Sequence, residues 1–424
     1  MRSRLAAGRQ ADDIVGLLDV GTAKTVCLIV AVPQSRPTLS LGEVAVRVLG
    51  AGVCPSHGVK GGTVFELREA EQSVRQAVDE AERAAGVSVD EVVVAVACGR
   101  LKSATFTADT LVEGRVVAAA EIERLMAAGR EHAGRGGRCL LHMNCISYRL
   151  DDTGGIGDPL GLAGRRLGCD IHAVTADDAP LRNLLHVIER AYLTARGLVP
   201  APYASALAAT TGEERQQGVL CLDIGAGTTS LAVFAQGHLL ACEVMPIGGN
   251  HATCDIAQAF SAPVYEAERI KRHHASLARD AGDDSVEFAY AGGDGEAGTS
   301  ARTTKGQVSA IVRDRMLGLF AEVAERIQRA SVATYARRVV LTGGASQQTG
   351  LGELAADYFA RRVRVAANEP VGGLVPGFTG PEYSTAVGLV HVALDPTAGT
   401  RWGRGGLVAG GYLRRMGQWL RESF

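Results

Sequence analysis

Residues 14–30 read IVGLLDVGTAKTVCLIV, and residues 218–234 read GVLCLDIGAGTTSLAVF. Each stretch consists of an apolar run, a short turn rich in glycine and threonine, and a second apolar run. This pattern predicts a β-hairpin in both places. Asp223 stands in the second stretch where Asp19 stands in the first, 204 positions earlier. The repeat indicates that the chain is built from two related halves.

Strand-like and helix-like stretches alternate after each hairpin, which predicts an α/β protein with layered sheets and helices. In residues 65–86, for example, the apolar positions Val74, Ala77, Val78 and Ala81 recur at the spacing of one helix face. Residues 88–175 interrupt the first half with predicted strands and a helix at 119–133. We interpret this block as an inserted α+β subdomain.

Composition excludes several classes of protein. The 424 residues carry 44 basic and 46 acidic side chains, a formal charge of −2, which lacks the basic field typical of a nucleic-acid binder. A hydrophobic content of 46% is too high for a disordered chain. The N-terminal MRSRLAAGRQADD has no apolar core, and no stretch approaches the roughly 18 apolar residues of a membrane span. We therefore expect neither export nor a transmembrane helix.

The nine cysteines are scattered and form no CxxC pair, which favours a reduced protein that uses cysteine as a small apolar residue. Cys139, His142 and Cys145 have a spacing that zinc ligands could share. They lie, however, in the alternating segment RCLLHMNCISYRL, so we predict a strand there.

The turns of the two hairpins have the chemistry of phosphate loops of an unusual kind. Each turn opens a second strand, unlike a P-loop or a dinucleotide-binding turn, which opens a helix. Glycines let the backbone curl so that its N–H groups point inward, and threonine hydroxyls and Lys24 add donors and charge. Asp19 and Asp223, at the strand ends, are placed to hold Mg²⁺ through its waters. Common turns of this type also have purely structural roles, but the paired occurrence favours a nucleotide site.

A third element is VVLTGGAS at 339–346, an apolar strand that ends in Gly343 and Gly344 before a helix. Two positions without side chains would let a nucleoside lie against the backbone. The order of hairpin, hairpin and strand with two glycines resembles the superfamily of actin, the heat-shock chaperones and the sugar kinases. That resemblance implies an ATP and Mg²⁺ cleft between two related domains.

Further segments are similar to the FtsA family of bacterial cell-division proteins within this actin-like superfamily. They include 54–64, 158–167, 246–257, 265–275 and 383–394, and the resemblance runs from about residue 13 to the end. It implies that Glu268 and Lys271 approach the ribose or adenine and that Asn250 lies near the phosphates. The candidate nucleotide-binding residues are Asp19, Gly21, Thr22, Ala23, Lys24, Asp223, Gly225, Gly227, Thr228, Thr229, Asn250, Glu268, Lys271, Gly343 and Gly344.

Two positions depart from the family pattern. Ala226 stands where another glycine is usual, and Ser230 stands where an acidic residue is common. Since no residue identifies itself as a base that activates water, we expect ATP binding and leave open whether the chain is a weak ATPase.

When the last fourteen residues, GYLRRMGQWLRESF, are placed on a helix, their apolar side chains fall in one arc and their charged side chains fall outside it. The apolar arc and the flanking arginines predict a helix that lies in an anionic membrane interface, although a helix packed on the protein's own core would also be amphipathic. The Gly-rich linker at 395–410 favours the membrane. The candidate membrane residues are Tyr412, Leu413, Arg414, Arg415, Met416, Trp419, Leu420, Arg421 and Phe424.

These observations predict an actin-like two-domain ATPase fold with an inserted subdomain and a C-terminal amphipathic helix. The predicted parts are a first actin-like domain (13–87 and 176–213), the inserted subdomain (88–175), a second actin-like domain (214–249 and 313–394), its small subdomain (250–312), the linker (395–410) and the helix (411–424).

The resemblance implies a cell-division adaptor that binds ATP, self-associates, tethers FtsZ to the cytoplasmic face of the inner membrane at the division site and recruits later division proteins. It implies that 250–312 receives the C-terminal peptide of FtsZ, with Arg302 and Lys305 the basic groups best placed to meet its carboxylates. A sugar-kinase-like phosphotransferase and an actin-like pilus-assembly ATPase remain alternatives. Nucleic acid is not an expected partner.

Overall fold

A computed structural model describes residues 12–32, 46–278, 282–292, 300–368 and 371–394. The predicted linker and the predicted membrane helix lie outside these residues. Within them, no helix is both long and apolar enough to cross a bilayer.

Alternating and buried apolar runs form strands in the N-terminal part of the chain, and the amphipathic stretch after residue 65 forms a helix. Gly86 ends this helix with a left-handed backbone, φ 70°, which glycine adopts without strain. The elements are β1 (Asp13–Val20), β2 (Lys24–Val32), β3 (Arg47–Pro55), β4 (Val59–Lys60), β5 (Thr63–Val64), α1 (Leu67–Ala85) and β6 (Glu91–Val96).

The inserted subdomain forms one helix on one antiparallel sheet, which has its own small apolar core. Its helix coincides with the predicted 119–133. The elements are β7 (Lys102–Leu111), α2 (Ala119–Ala133), β8 (Arg138–Leu150), β9 (Thr153–Ile156) and β10 (Arg166–Asp177), and the sheet order is β7-β10-β8-β9.

The remaining elements complete the first half and build the second. Four single 3₁₀ turns, at Asp283–Ser285, Gly344–Gln347, Pro376–Phe378 and Pro381–Tyr383, lie between them. The elements are α3 (Asp178–Arg190), β11 (Thr194–Pro200), α4 (Ala201–Ala209), α5 (Gly212–Gln217), β12 (Val219–Ile224), β13 (Thr229–Ala235), β14 (His238–Met245), α6 (Gly249–Phe260), α7 (Val264–His274), β15 (Glu287–Ala291), β16 (Ser300–Thr304), α8 (Lys305–Arg329), β17 (Arg338–Thr342), α9 (Leu351–Phe359), β18 (Arg362–Val365) and α10 (Ser384–Leu394).

The two halves have the same sheet topology. The first sheet has the order β3-β2-β1-β6-β11 and the second has the order β14-β13-β12-β17-β18. In each, a hairpin and a third antiparallel strand are followed by two parallel strands. The predicted hairpins, the repeat and the α/β class are therefore confirmed.

Two boundaries and one pair of strands differ from the sequence expectations. β6, which we assigned to the inserted block, is a parallel strand of the first sheet, buried on both faces between β1 and β11. The insertion therefore begins after Val96, not at residue 88. α8 begins at Lys305, so the predicted subdomain boundary at 312 falls inside a helix. Residues 287–291 and 300–304 form an antiparallel pair of strands, β15 and β16, where we expected exposed loops.

Helices α4 and α10 pack against each other between the two sheets. A Cβ on Gly388 of α10 would stand 1.8 Å from the carbonyl oxygen of Ala204 in α4, so only glycine permits this close approach. Buried residues from both sheets and both helices form one continuous core. This packing fixes the two halves side by side and leaves a cleft where the strands β1, β12 and β17 end.

Candidate functional site

The turns of the two hairpins face each other across the cleft. The amide of Gly21 donates to Lys24 O at 3.0 Å, and the amide of Gly225 donates to Thr228 O at 2.8 Å, which closes the two turns in the same way. A Cβ on Gly227 would stand 2.6 Å from Thr22 Oγ1. The two phosphate-type turns thus approach each other as closely as glycine allows.

The cleft has a volume of about 560 Å³. Polar and apolar groups contribute to its walls, and residues from both halves line it. Fourteen of the fifteen candidate nucleotide-binding residues line the cleft: Asp19, Gly21, Thr22, Ala23, Lys24, Asp223, Gly225, Gly227, Thr228, Asn250, Glu268, Lys271, Gly343 and Gly344.

Thr229 is the exception. It is buried, and its hydroxyl donates to Ile247 O at 2.7 Å, on the far side of β13 from the cleft. Thr229 begins β13 and the next residue, Ser230, lines the cleft, so the side chain of Thr229 points to the other face of the strand. Thr229 holds the segment that leads into α6, and the expectation that it contacts a phosphate is corrected.

Two carboxylates form the floor of the cleft, at the ends of β1 and β12. Desolvation and the neighbouring charge of Asp223 raise the pKa of Asp19 to about 7, against an opposing effect of Lys24. Desolvation also raises the pKa of Asp223, which accepts a hydrogen bond from Thr385 Oγ1 at 3.1 Å. Two desolvated carboxylates that repel each other form a site that a cation would stabilise.

Gly343 has a specific structural reason to be glycine. Its φ is 84°, and a Cβ there would stand 2.3 Å from Asp223 Oδ1 and 2.6 Å from Ile224 O. At Gly344 the nearest atom to a Cβ is Glu382 Cβ at 3.5 Å, so that position opens into the cleft. Gly343 therefore keeps the carboxylate floor in place, and Gly344 leaves space above it.

Lys24 lies across the cleft from the segment that begins α10. Its Nζ is 3.3 Å from the centre of the Tyr383 ring. Desolvation lowers the pKa of Lys24, while the carboxylate of Glu382 opposes that effect. Glu382 in turn accepts a hydrogen bond from Gln347 Nε2 at 3.0 Å. The lysine is thus held in a partly desolvated position where it can neutralise an anion.

The opposite wall is a network on α6 and α7. Lys271 Nζ donates to Thr253 Oγ1 at 2.7 Å and to Gly249 O at 3.1 Å, and it is 2.6 Å from Glu268 Oε2. Asn250 lies at the start of α6, and its backbone amide donates to Ala226 O at 2.8 Å. Glu268 and Lys271 are therefore ordered cleft residues rather than a solvated charged face.

Several lining residues were not found from the sequence. Gln347, Gln348 and Arg272 approach the cleft from the second half, and Glu382 and Thr385 approach it from the entry to α10. Arg272 and Thr385 lie in the segments 265–275 and 383–394 that carry part of the family resemblance, which is the one signal that points to them. No local pattern marks Gln347, Gln348 or Glu382.

The cysteine and histidine residues near 140 do not form a metal centre. They lie on β8, as the alternation predicts, and burial lowers the pKa of His142 to about 4. The parts of the chain that the structure describes contain no cluster of three or more metal-ligating side chains. None of the nine cysteines, all of which lie in the described ranges, forms a disulfide.

Arg302 and Lys305 lie together at the edge of the small subdomain. Arg302 is on β16, is 71% exposed and pairs with Glu287 of β15 at 3.2 Å. Lys305 begins α8, and its amide donates to Val286 O at 3.0 Å. Both lie on the paired strands β15 and β16 or at the junction of β16 with α8.

Comparison with known proteins places this fold in a family. A family model described as cell division protein FtsA matches residues 220–388, and one described as SHS2 domain inserted in FTSA matches residues 98–175. The second match begins within two residues of the end of β6.

Curated relatives match almost the whole chain. Cell division protein FtsA of Rhizobium meliloti is 38% identical over 420 residues, which cover 97% of this chain and 95% of the relative. FtsA of Escherichia coli K12 is 32% identical, with 97% and 98% covered. FtsA of Neisseria meningitidis is 30% identical, with 98% and 100% covered.

Solved structures show the same architecture at low sequence identity. The type IV pilus biogenesis complex PilM-PilN has a chain that superposes with a TM-score of 0.63 at 18% identity, covering 90% of this chain and 99% of its own. MreB5 of Spiroplasma citri bound to ADP gives a TM-score of 0.51 at 14% identity, covering 91% and 96%. These likenesses confirm the actin-like fold.

Proposed function

The chain belongs to the FtsA family of cell division proteins, and from this premise we propose that it is an ATP-binding adaptor that holds FtsZ at the cytoplasmic face of the inner membrane. The observation that supports the nucleotide part is the pair of facing turns, with Gly227 against Thr22, above two desolvated carboxylates.

ATP would be held by groups from both halves. Backbone amides of the two turns, with the hydroxyls of Thr22 and Thr228 and the charge of Lys24, suit its phosphates. The network of Lys271 and Glu268 on the opposite wall suits the polar ribose or adenine. Because the site combines residues from both halves, bound nucleotide would stabilise one relative arrangement of the two domains.

Asp19 and Asp223 fit a hydrated Mg²⁺. Two carboxylates are too few to replace the hydration shell, and Mg²⁺ characteristically keeps several waters and binds phosphate oxygens as well. When bound, the ion would neutralise phosphate charge. It would also relieve the repulsion that raises the pKa of Asp19. Ser230 lines the cleft at a position where the family resemblance implies an acid, so this position adds no carboxylate to Asp19 and Asp223.

A partner peptide would bind the small subdomain. Arg302 lies on β16, and Lys305 begins α8 three residues later. Arg302 is largely exposed despite its pairing with Glu287. An acidic peptide could replace Glu287 as the partner of Arg302. An ion pair between exposed groups contributes little, so the apolar part of the peptide must supply most of the affinity.

The membrane part of the proposal rests on residues 411–424, which lie outside the described structure. Their amphipathic pattern, with Trp419 and Leu420 in the apolar arc and Arg414 and Arg421 on the other side, suits a helix that lies in the lipid interface. One short helix binds marginally, so several copies would need to act together. Self-association of the chain, which the family resemblance implies, would provide them.

Vesicle flotation with purified FtsZ tests the proposal. We expect FtsZ to float with anionic vesicles only when this chain is present. A variant with Arg302→Gln and Lys305→Gln should float itself but leave FtsZ behind. The matched control, Arg115→Gln with Arg165→Gln, removes two exposed arginines from the inserted subdomain and should act like the parent. If the parent floats and FtsZ does not follow it, the adaptor role is contradicted.

A further inference from the structure

Arginines gather where two parallel strands of the second sheet begin. Arg338 starts β17 and Arg362 starts β18, and the strand register places these two residues side by side. The residue before each is also an arginine. Together with the arginine at the end of α8 they form what we name the arginine face: Arg329, Arg337, Arg338, Arg361 and Arg362.

The charge of this face is only partly neutralised. Arg329 pairs with Glu325 of the same helix, and between residues 326 and 364 the chain has seven arginines but only two acidic residues. Arg337 and Arg362 are exposed and form no ion pair with any residue that the structure describes. Arg338 shares the carboxylate of Glu214 with Arg364, so one acid serves two cations. A net positive surface therefore remains.

An aromatic side chain accompanies the cations. Tyr335, in the loop that precedes β17, is 46% exposed. Its backbone is fixed, because its carbonyl accepts the amide of Arg337 at 2.8 Å and Gly218 packs closely against the same oxygen. Tyrosine, with an apolar ring and a polar tip, suits a surface where apolar and wet regions meet.

The orientation of α4 and α10 shows which way the face points. Both helices begin at the cleft, since Ala201 of α4 and Thr385 of α10 line it. Each helix reaches the crossing point, at Gly388 or Ala204, three residues after the residue that lines the cleft. Both helices therefore run away from the cleft in the same direction. The carbonyl of Ala209, at the end of α4, accepts a hydrogen bond from Arg364 of β18 at 2.8 Å.

It follows that α10 ends at the same end of the molecule as the arginine face. Its eleven residues span about 16 Å at 1.5 Å per residue, similar to the roughly 16 Å of the five-residue strand β17. The chain has thirty further residues after Leu394, which include the predicted membrane helix. The segment that we propose inserts into lipid therefore starts from the side on which the arginines lie.

We propose that the arginine face is a second contact with anionic lipid, which holds the body of the protein against the membrane with the cleft facing away. This inference rests on the proposed membrane role of residues 411–424. Stable attachment to a bilayer generally needs two signals, such as a hydrophobic anchor and a basic surface. A charged lipid surface attracts several cations at once and requires no pocket.

Flotation of the full chain with phosphatidylglycerol-containing vesicles tests the face. We expect Arg337→Gln with Arg362→Gln to weaken binding about tenfold, because each cation near an anionic surface contributes several-fold. The loss should shrink as salt is raised from about 0.1 M to about 0.5 M. The control, Arg115→Gln with Arg165→Gln, makes the same change in charge elsewhere and should leave binding within about twofold of the parent.

The outcomes separate this inference from the proposed function. Suppose that Trp419→Glu abolishes flotation, while the variant of Arg337 and Arg362 binds vesicles as well as its control does. The helix then anchors the chain, and the arginine face does not contact lipid. Loss of self-association in the Arg337 and Arg362 variant, with unchanged binding of the dispersed chain to vesicles, would assign the face to a second copy and overturn the lipid contact. Binding of a DNA duplex that depends on these arginines, without an effect on vesicles, would also overturn it.

Discussion

Gly343 lies directly against the carboxylate of Asp223, so close that a Cβ would stand 2.3 Å from Oδ1. The strand β17 thereby fixes the floor of the cleft through a backbone contact. The next residue, Gly344, has no such neighbour.

The two glycines should respond differently to the same small substitution. Gly343→Ala forces a side chain into the carboxylate and imposes a positive φ on alanine, so we expect the free energy of unfolding to fall by about 2–4 kcal/mol. Gly344→Ala should change it by less than about 1 kcal/mol. Urea unfolding of both variants measures this, and equal stability would contradict the close contact.

The raised pKa of Asp19, about 7, predicts how stability depends on pH. Between about pH 4 and pH 7 the folded chain keeps a proton that the unfolded chain has lost. The free energy of unfolding, measured without nucleotide or Mg²⁺, should therefore decrease as the pH rises through this range, by about 4 kcal/mol from Asp19.

Asp19→Asn should flatten that dependence and stabilise the protein at pH 8. Asp79→Asn, which changes an exposed carboxylate on α1, is the control and should keep the parent's slope. Urea unfolding at pH 5 and pH 8 gives both slopes. A parent-like slope in the Asp19 variant would show that this carboxylate ionises normally.

Glu214 should be a stabilising residue far from the cleft. It is buried, its Oε2 accepts the amide of Thr211 at 3.0 Å, and it binds Arg364 of β18 at 2.5 Å. Hydrogen bonding from Arg364 lowers its pKa to about 2. Its contribution is present above the ordinary pKa of glutamate and is lost as the pH falls through about 2.

Glu214→Gln removes the negative charge that pairs with Arg364, and we expect it to cost about 2 kcal/mol of folding free energy at pH 7. The neighbouring Glu213 is exposed and contacts Gln217, so Glu213→Gln should cost less than about 0.5 kcal/mol. Chemical unfolding at neutral pH compares the two. Equal effects would mean that the ion pair to β18 carries no stability.

The proposed membrane helix can be tested with two adjacent substitutions that add the same charge. Trp419→Glu places a carboxylate in the apolar arc, where each large side chain contributes on the order of 1.5–3 kcal/mol when buried, so flotation should fall at least about tenfold. Gln418→Glu alters the polar face and should have an effect of less than about threefold. Equal losses would show that net charge alone determines binding.

The sequence predicted the parts of the fold that depend on local pattern. Both hairpins and α2 follow from periods of two and 3.6 residues. β6 was misassigned because its apolar run, VVVAV, does not state which sheet it joins. That membership depends on pairing with β1 and β11, which are far away in the chain.

The candidate site was predicted where backbone turns determine it and missed where tertiary packing does. The turn glycines and Asp19 can be identified from the sequence of the hairpins themselves. Glu382 and Gln347 approach the cleft only because α10 begins there and β17 ends there, and no local signal records that. Thr229 was wrongly included because the sequence does not show that β13 begins at this residue and turns its hydroxyl toward Ile247 O.

Calorimetric titration of ATP into the full chain, once in Mg²⁺ and once in EDTA, decides whether the cleft is a nucleotide site. We expect saturable binding of one ATP per chain, weakened at least about tenfold by EDTA because the charge on the phosphates and on Asp19 and Asp223 is then unrelieved. Gly344→Phe, which fills the open position above the floor, should abolish it while the protein stays folded. Absence of saturable binding by the parent, or binding by Gly344→Phe equal to that of the parent, would contradict the site.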